Sequence, residues 1–178
     1  MEDYLYSQYE LALIFQYHGF DIVHASELLN KIYHYDNAFL QAQYRDNQKK
    51  FILDVMDMMN YINNQAQFEL EKSAVNQDLS DFGLINSIAR YDNSDIIISH
   101  MIFKELRIRI LYISKQGFVK MKLSTLLSEL GYKRRSQDVI NYIIDCLLFY
   151  HISVSLKDNI PCDVEKVKLS DMIMFRIV

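Results

Sequence analysis

Apolar residues in this chain recur mostly at three-to-four spacing, a pattern that predicts a mainly helical protein with a few short strands. Leu5, Tyr9, Ala12, Leu13 and Phe15 place a helix over residues 4–17. Gly19 is a suitable stop, because glycine accepts the left-handed backbone after a last turn. Residues 20–23 read as a short strand, and Ser26 as the N-cap of a second helix over 27–35. Residues 35–47 are polar and turn-like, although Phe39 and Leu40 require burial. Phe51, Ile52, Val55, Met56, Met59 and Ile62 form a wide stripe on a third helix over 48–63. Residues 68–70 alternate as a strand would, and 72–78 read as a polar linker or wing. Ser80 is a cap for a helix to Tyr91, and Asp92, Asn93 and Ser94 make the clearest break in the middle of the chain.

Beyond that break, a helix over 94–115 puts Ile97, Met101, Leu106, Ile110 and Ile113 inward and Lys104, Arg107 and Arg109 outward. Its start is open, since Ile96, Ile97 and Ile98 also suit a strand. Gly117 ends it, residues 118–123 read as a strand, and Ser124 as the N-cap of a short helix stopped by Gly131. Lys133, Arg134, Arg135 and Ser136 then open an apolar helix over 138–150. Ile152, Val154 and Leu156 alternate with polar residues as in a half-buried strand; Asp158 to Pro161 turn the chain, and 164–178 return as one or two strands. Helix, strand, helix, turn, helix, strand, wing, strand is an order that resembles the winged-helix superfamily of helix-turn-helix proteins. The resemblance implies a winged helix within a mainly α fold with small β-wings. Many unrelated functions share that fold, so it names none of them.

Sliding the chain against itself by 98 residues aligns Leu13, Gly19, Phe20, Ser26, Leu28 and Leu29 with Leu111, Gly117, Phe118, Ser124, Leu126 and Leu127. These matches fall on the helix stop, cap and core positions of one unit, which leaves two readings of the N-terminal half. It is either a second, diverged winged helix or a helical bundle. The expected domains are 1–92 and 93–178.

Charge separates the two halves. Residues 1–103 hold 6 Lys/Arg against 15 Asp/Glu, a net −9, while residues 104–178 hold 13 against 8, a net +5. Only the second half has the sign that suits a phosphate backbone. Within it, Lys133, Arg134, Arg135, Ser136, Gln137 and Asn141 stand where a second helix would meet a major groove. There Arg would pair with guanine, Gln or Asn with adenine, and Ser with phosphate. Lys120, Lys122, Lys157, Lys166 and Lys168 would add backbone contacts from the flank and wing. The competing reading is a solvated basic turn on a protein-binding winged helix.

Other chemistry finds little support. His18, His24, His34, His100 and His151 show no metal-ligand spacing, and Cys146 and Cys162 show no disulfide or zinc pattern. Neither a phosphate-binding glycine loop nor a nucleophile elbow is present, so an enzyme is not expected, nor a cofactor. Met56, Met58 and Met59 suit either core or an adaptable partner surface, with Met58 facing outward. The start of the chain lacks a basic signal-peptide pattern and no apolar run is long enough for a membrane span, so a cytoplasmic location is expected. The expected function is a non-enzymatic, winged-helix binder of double-stranded DNA, either a transcriptional regulator or a replication-initiation accessory. Its acidic half would form a homodimer or recruit a protein partner. The alternative is a tandem winged-helix adaptor subunit of a chromosome-segregation or other multiprotein complex.

Overall fold

The computed structural model describes residues 4–70, 95–157 and 160–178, with side chains at 4–64, 100–157 and 160–178. The described residues are mainly helical, with a small antiparallel sheet. The chain divides into two compact units, Met1–Asn93 and Ser94–Val178.

In the first unit, helix α1 spans Gln8–Tyr17 and begins later than periodicity predicts, because Ser7 caps it. Ser7 Oγ accepts from Glu10 N at 3.2 Å, and Glu10 Oε2 accepts from Ser7 N at 3.0 Å, a reciprocal capping box. Gly19 takes φ +68 after the last turn, and Phe20 N donates to Phe15 O at 3.0 Å. The expected strand over 20–23 does not form. Asp21 caps the next helix through His24 N at 2.8 Å, so α2 spans Ile22–Tyr35 and Ser26 lies inside it. Asp21 captures the cap position five residues earlier than Ser26, and Ile22 and Val23 become exposed helix residues.

Two 3₁₀ turns, Asn37–Phe39 and Ala42–Tyr44, carry the chain to α3, Gln48–Leu70. Residues 68–70, expected as a strand, continue this helix. Leu40 and Tyr44 are buried, and the connection is tied down by Tyr6. The Tyr6 hydroxyl donates to Asp36 Oδ2 at 3.1 Å, and Tyr6 N donates to Phe39 O at 2.7 Å. Phe51, Val55, Met59 and Ile62 are the buried stripe of α3, which packs against α1 and α2, while Met56 and Met58 are half-buried. Tyr44 donates to Asp54 Oδ2 at 3.0 Å, and its hydroxyl is pushed up to about 12 by burial and by that carboxylate. The expected linker over 72–78, the helix from Ser80 to Tyr91 and the break at 92–94 lie outside the described residues.

In the second unit, α4 spans Asp95–Ile108, so its start is helical rather than extended. It runs on as a π-helical turn, Arg109–Ile113, closed by Ser114 N donating to Arg109 O at 2.7 Å. Lys104 and Arg107, expected outward, are buried. A long aliphatic stem allows this when the cationic end finds acceptors, and Arg107 Nη1 donates to the carbonyl of Tyr150. After Gly117 the chain forms β1 (Val119–Lys122), α5 (Leu123–Glu129), α6 (Gln137–Phe149), β2 (Ile152–Ser155) and β3 (Met172–Ile177). Lys122, rather than the expected Ser124, is the N-cap residue of α5; Ser124 N donates instead to Leu169 O at 2.9 Å.

The sheet order is β1-β3-β2, all antiparallel, with Phe175 opposite both Val119 and Val154. The β2–β3 hairpin extends outward through a bridge of Ser155 to Pro161 and Leu156 N donating to Ile160 O at 2.8 Å. α6 turns Val139, Ile140, Ile143, Cys146 and Leu147 inward, packing on α4 and β2. Phe103 of α4 stacks on Tyr150, ring centroids 6.4 Å apart.

Two changes in the second unit have definite expected effects. Gly131 holds φ +79, a backbone that side chains resist, although a Cβ there meets nothing within 4 Å. Gly131→Ala should therefore lose about 1 kcal/mol in urea unfolding, and Gly131→Asn less, because asparagine tolerates that conformation. Glu129, at the C-terminal end of α5, is held above its ordinary 4.5 by burial and by Glu105, with Arg109 partly offsetting. Its folded state keeps the proton longer, so stability falls as pH rises from below 4.5 through the raised folded value. Glu129→Gln should be more stable than the parent at pH 7, by under about 1 kcal/mol, with no difference left in acid below the ordinary glutamate range.

Candidate nucleic-acid interface

The surface singled out by the sequence is the turn from α5 into α6 with the strand hairpin beside it. Gly131 starts the turn, Tyr132 N donates to Leu127 O at 2.8 Å, and Ser136 caps α6 by accepting from Val139 N at 3.4 Å. Ser136 is thereby engaged with the helix itself. Burial of one face of α6 leaves Gln137, Asp138, Asn141, Asp145 and Leu148 exposed, Leu148 by 71%.

The basic residues divide by what they touch. Lys133 and Arg134 are exposed and, among the described residues, form no hydrogen bond or ion pair. Arg135 is different, because its Nη1 donates to Val167 O at 2.6 Å across 32 residues of sequence. That bond ties residues 163–171, between β2 and β3, to the turn. A second tie joins the same segments. Gln137 Nε2 lies 3.1 Å from Glu165 Oε1 and 3.1 Å from Asn141 Oδ1.

On the flank, Lys120 and Lys122 are exposed on β1, an edge strand, and Lys120 Nζ lies 5.1 Å from the centre of the Phe118 ring. Lys157 is exposed just after β2, on the opposite edge of the sheet. Lys166 pairs with Asp163 at 2.7 Å; that contact holds the carboxyl below and the amine above their ordinary values. Both partners are exposed, so the pair adds little stability. Lys168 is exposed, and its backbone N donates to Asp171 Oδ2 at 3.1 Å in a turn.

The structure thus brings Lys133, Arg134, Arg135, Ser136, Gln137 and Asn141 together with the segment carrying Lys166 and Lys168. Lys120 and Lys122 lie on β1, where Lys122 pairs with Met172, just beyond that segment. Reading the sequence missed three acidic groups. Glu165 is one, because an exposed acid in a segment of mixed charge carries no signal of its partner. Asp138 and Asp145 are the others; they lie at helical spacing from the amides, so the periodicity contained them. Arg176 of β3 was also missed, with its guanidinium 5.4 Å from the Phe118 ring centre and Nη1 donating to Ser155 Oγ at 3.2 Å.

Elsewhere, Cys146 Sγ lies 4.0 Å from His100 Nδ1, both buried, and burial pushes the thiol up to about 11, which disfavours the reactive thiolate. Among the described residues, no group of three or more His, Cys, Asp or Glu is placed to hold a metal ion, and no helix is long and apolar enough to cross a membrane. No family model matches the chain, and no match was found among curated proteins or solved structures.

The ties give Arg135 and Arg134 different expected behaviour in unfolding. Arg135→Ala removes a charge-assisted bond to a backbone carbonyl and should cost about 1.5–3 kcal/mol. Arg134→Ala should stay within about 0.5 kcal/mol of the parent. Equal effects of the two substitutions on the urea midpoint would contradict this division.

Proposed function

We propose that the second unit is a winged helix and that the protein is a non-enzymatic binder of double-stranded DNA. The reading of the fold is supported by element order together with the sheet order β1-β3-β2 and the extended β2–β3 hairpin. In this reading α6 is the groove-facing helix and the hairpin is the wing.

The observation that carries the function is the pair of exposed, unengaged cations, Lys133 and Arg134, at the N-terminal approach to α6. The helix dipole adds to their charge at that end, so a phosphate meets side-chain and backbone donors together. Lys157 and Lys168, both exposed, supply further cations for backbone contacts from the segment between β2 and β3. Base reading falls to Gln137 and Asn141, with Asp138 as a further acceptor. The acidic first unit suits a homodimer contact or a protein partner, as a transcriptional regulator or a replication accessory requires.

A second reading has its own support. α6 carries no Lys or Arg, and its exposed face presents Asp138, Asp145 and Leu148. Carboxylates repel phosphate, so this face suits a protein partner better than a nucleic acid. An adaptor subunit in a multiprotein complex would use this face.

Fluorescence anisotropy of the full chain on a labelled duplex distinguishes the two. DNA docking predicts binding whose logarithm falls linearly with log salt. Lys133→Ala/Arg134→Ala should weaken it at low salt and reduce the slope by about 2, one unit for each cation withdrawn from a phosphate. Absent or salt-independent binding would sink the DNA reading and leave the adaptor.

A further inference from the structure

The tie between the wing and α6 has a chemical direction. A carboxylate only accepts hydrogen bonds, so Glu165 Oε1 obliges Gln137 to turn its NH2 group, rather than its carbonyl, toward the wing. The same nitrogen lies 3.1 Å from Asn141 Oδ1, and its second N–H donates there. Both donors of Gln137 are thus engaged, and so is the oxygen of Asn141. Among the described residues, Gln137 Oε1 and Asn141 Nδ2 have no partner. They are what the pair can offer to a ligand on the exposed face of α6.

We infer that Glu165 sets the hydrogen-bonding polarity of these amides, making Gln137 an acceptor-only reader and Asn141 a donor to bases in the major groove. The inference rests on the DNA reading above and adds its specificity. A free glutamine amide reads adenine with both ends, oxygen to N6 and nitrogen to N7. Held by Glu165, Gln137 has only its oxygen to give. It accepts from an exocyclic amine, N6 of adenine or N4 of cytosine, and opposes the O6 of guanine and the O4 of thymine. One position of the site therefore selects adenine or cytosine on the contacted strand, while Asn141 Nδ2 donates to a neighbouring ring nitrogen or carbonyl. Glu165 is a positioning residue here, since it acts through Gln137 and has no base contact of its own.

The test is selection by the full-length protein from a duplex library with a randomised core, for the parent, Glu165→Gln and Gln137→Ala. Glu165 is exposed, so its replacement leaves the core untouched. The parent should enrich adenine and cytosine over guanine and thymine at one position. Glu165→Gln frees the Gln137 amide to turn over, and the preference there should fall about tenfold, with Gln137→Ala removing it at the same position. The salt slope should stay the same in all three, because every cation that meets a phosphate is kept. A parent preference unchanged in Glu165→Gln overturns the inference and leaves DNA binding standing. Duplex binding with no base preference, or with guanine or thymine preferred, also overturns it alone. Failure of the parent to bind duplex overturns both.

Discussion

The second unit depends on the burial of one face of α6. Val139, Ile140, Ile143, Cys146 and Leu147 face α4 and the sheet, each large side chain contributing about 1.5–3 kcal/mol by leaving water. Once that face is fixed, the helical period leaves no choice about what remains outside. Gln137, Asp138, Asn141, Asp145 and Leu148 are presented because their neighbours are buried. Which residues the unit presents is thus a consequence of its packing, and the ties through Arg135 and Gln137 hold residues 163–171 beside them.

The long-range ties were the least legible part of the sequence. Ser136 and the apolar face of α6 could be read directly, because a cap residue and a 3.6-residue period are local signals. Arg135 looked like a groove contact, and nothing in the neighbouring residues shows that Val167 lies within reach of it. Glu165 was invisible for the same reason. Local signals also misled where two of them competed. Asp21 and Ser26 are both good caps, and the apolar residues 20–23 suited a strand until the earlier cap won. Lys104 and Arg107 were placed outside because charge prefers water, yet their stems let them be buried in α4.

The first unit is ordered differently. Much of its order comes from phenols: Tyr6 binds Asp36 and the backbone of Phe39, and Tyr44 binds Asp54 while its ring lies beneath Lys50 Nζ at 4.9 Å. Lys50 also donates to Asp54 at 2.6 Å, which holds that carboxyl below its ordinary value. A tyrosine-rich chain without tryptophan can thus join an apolar core to its polar connections through single side chains.

The π-helical close of α4 bears on how the second unit tolerates changes in length. Closing a ring on Arg109 from Ser114 takes in one residue more than an α-turn, which rotates whatever follows by about 100° around the helix axis. The π segment lies against β3, and residues 114–118 lead from it to β1. The extra residue therefore acts as a phase setting between helix and sheet. Removing it would not simply shorten the helix, but would change which side chains the segment turns toward β3. In an exposed loop the same deletion would be absorbed without moving a packed helix face.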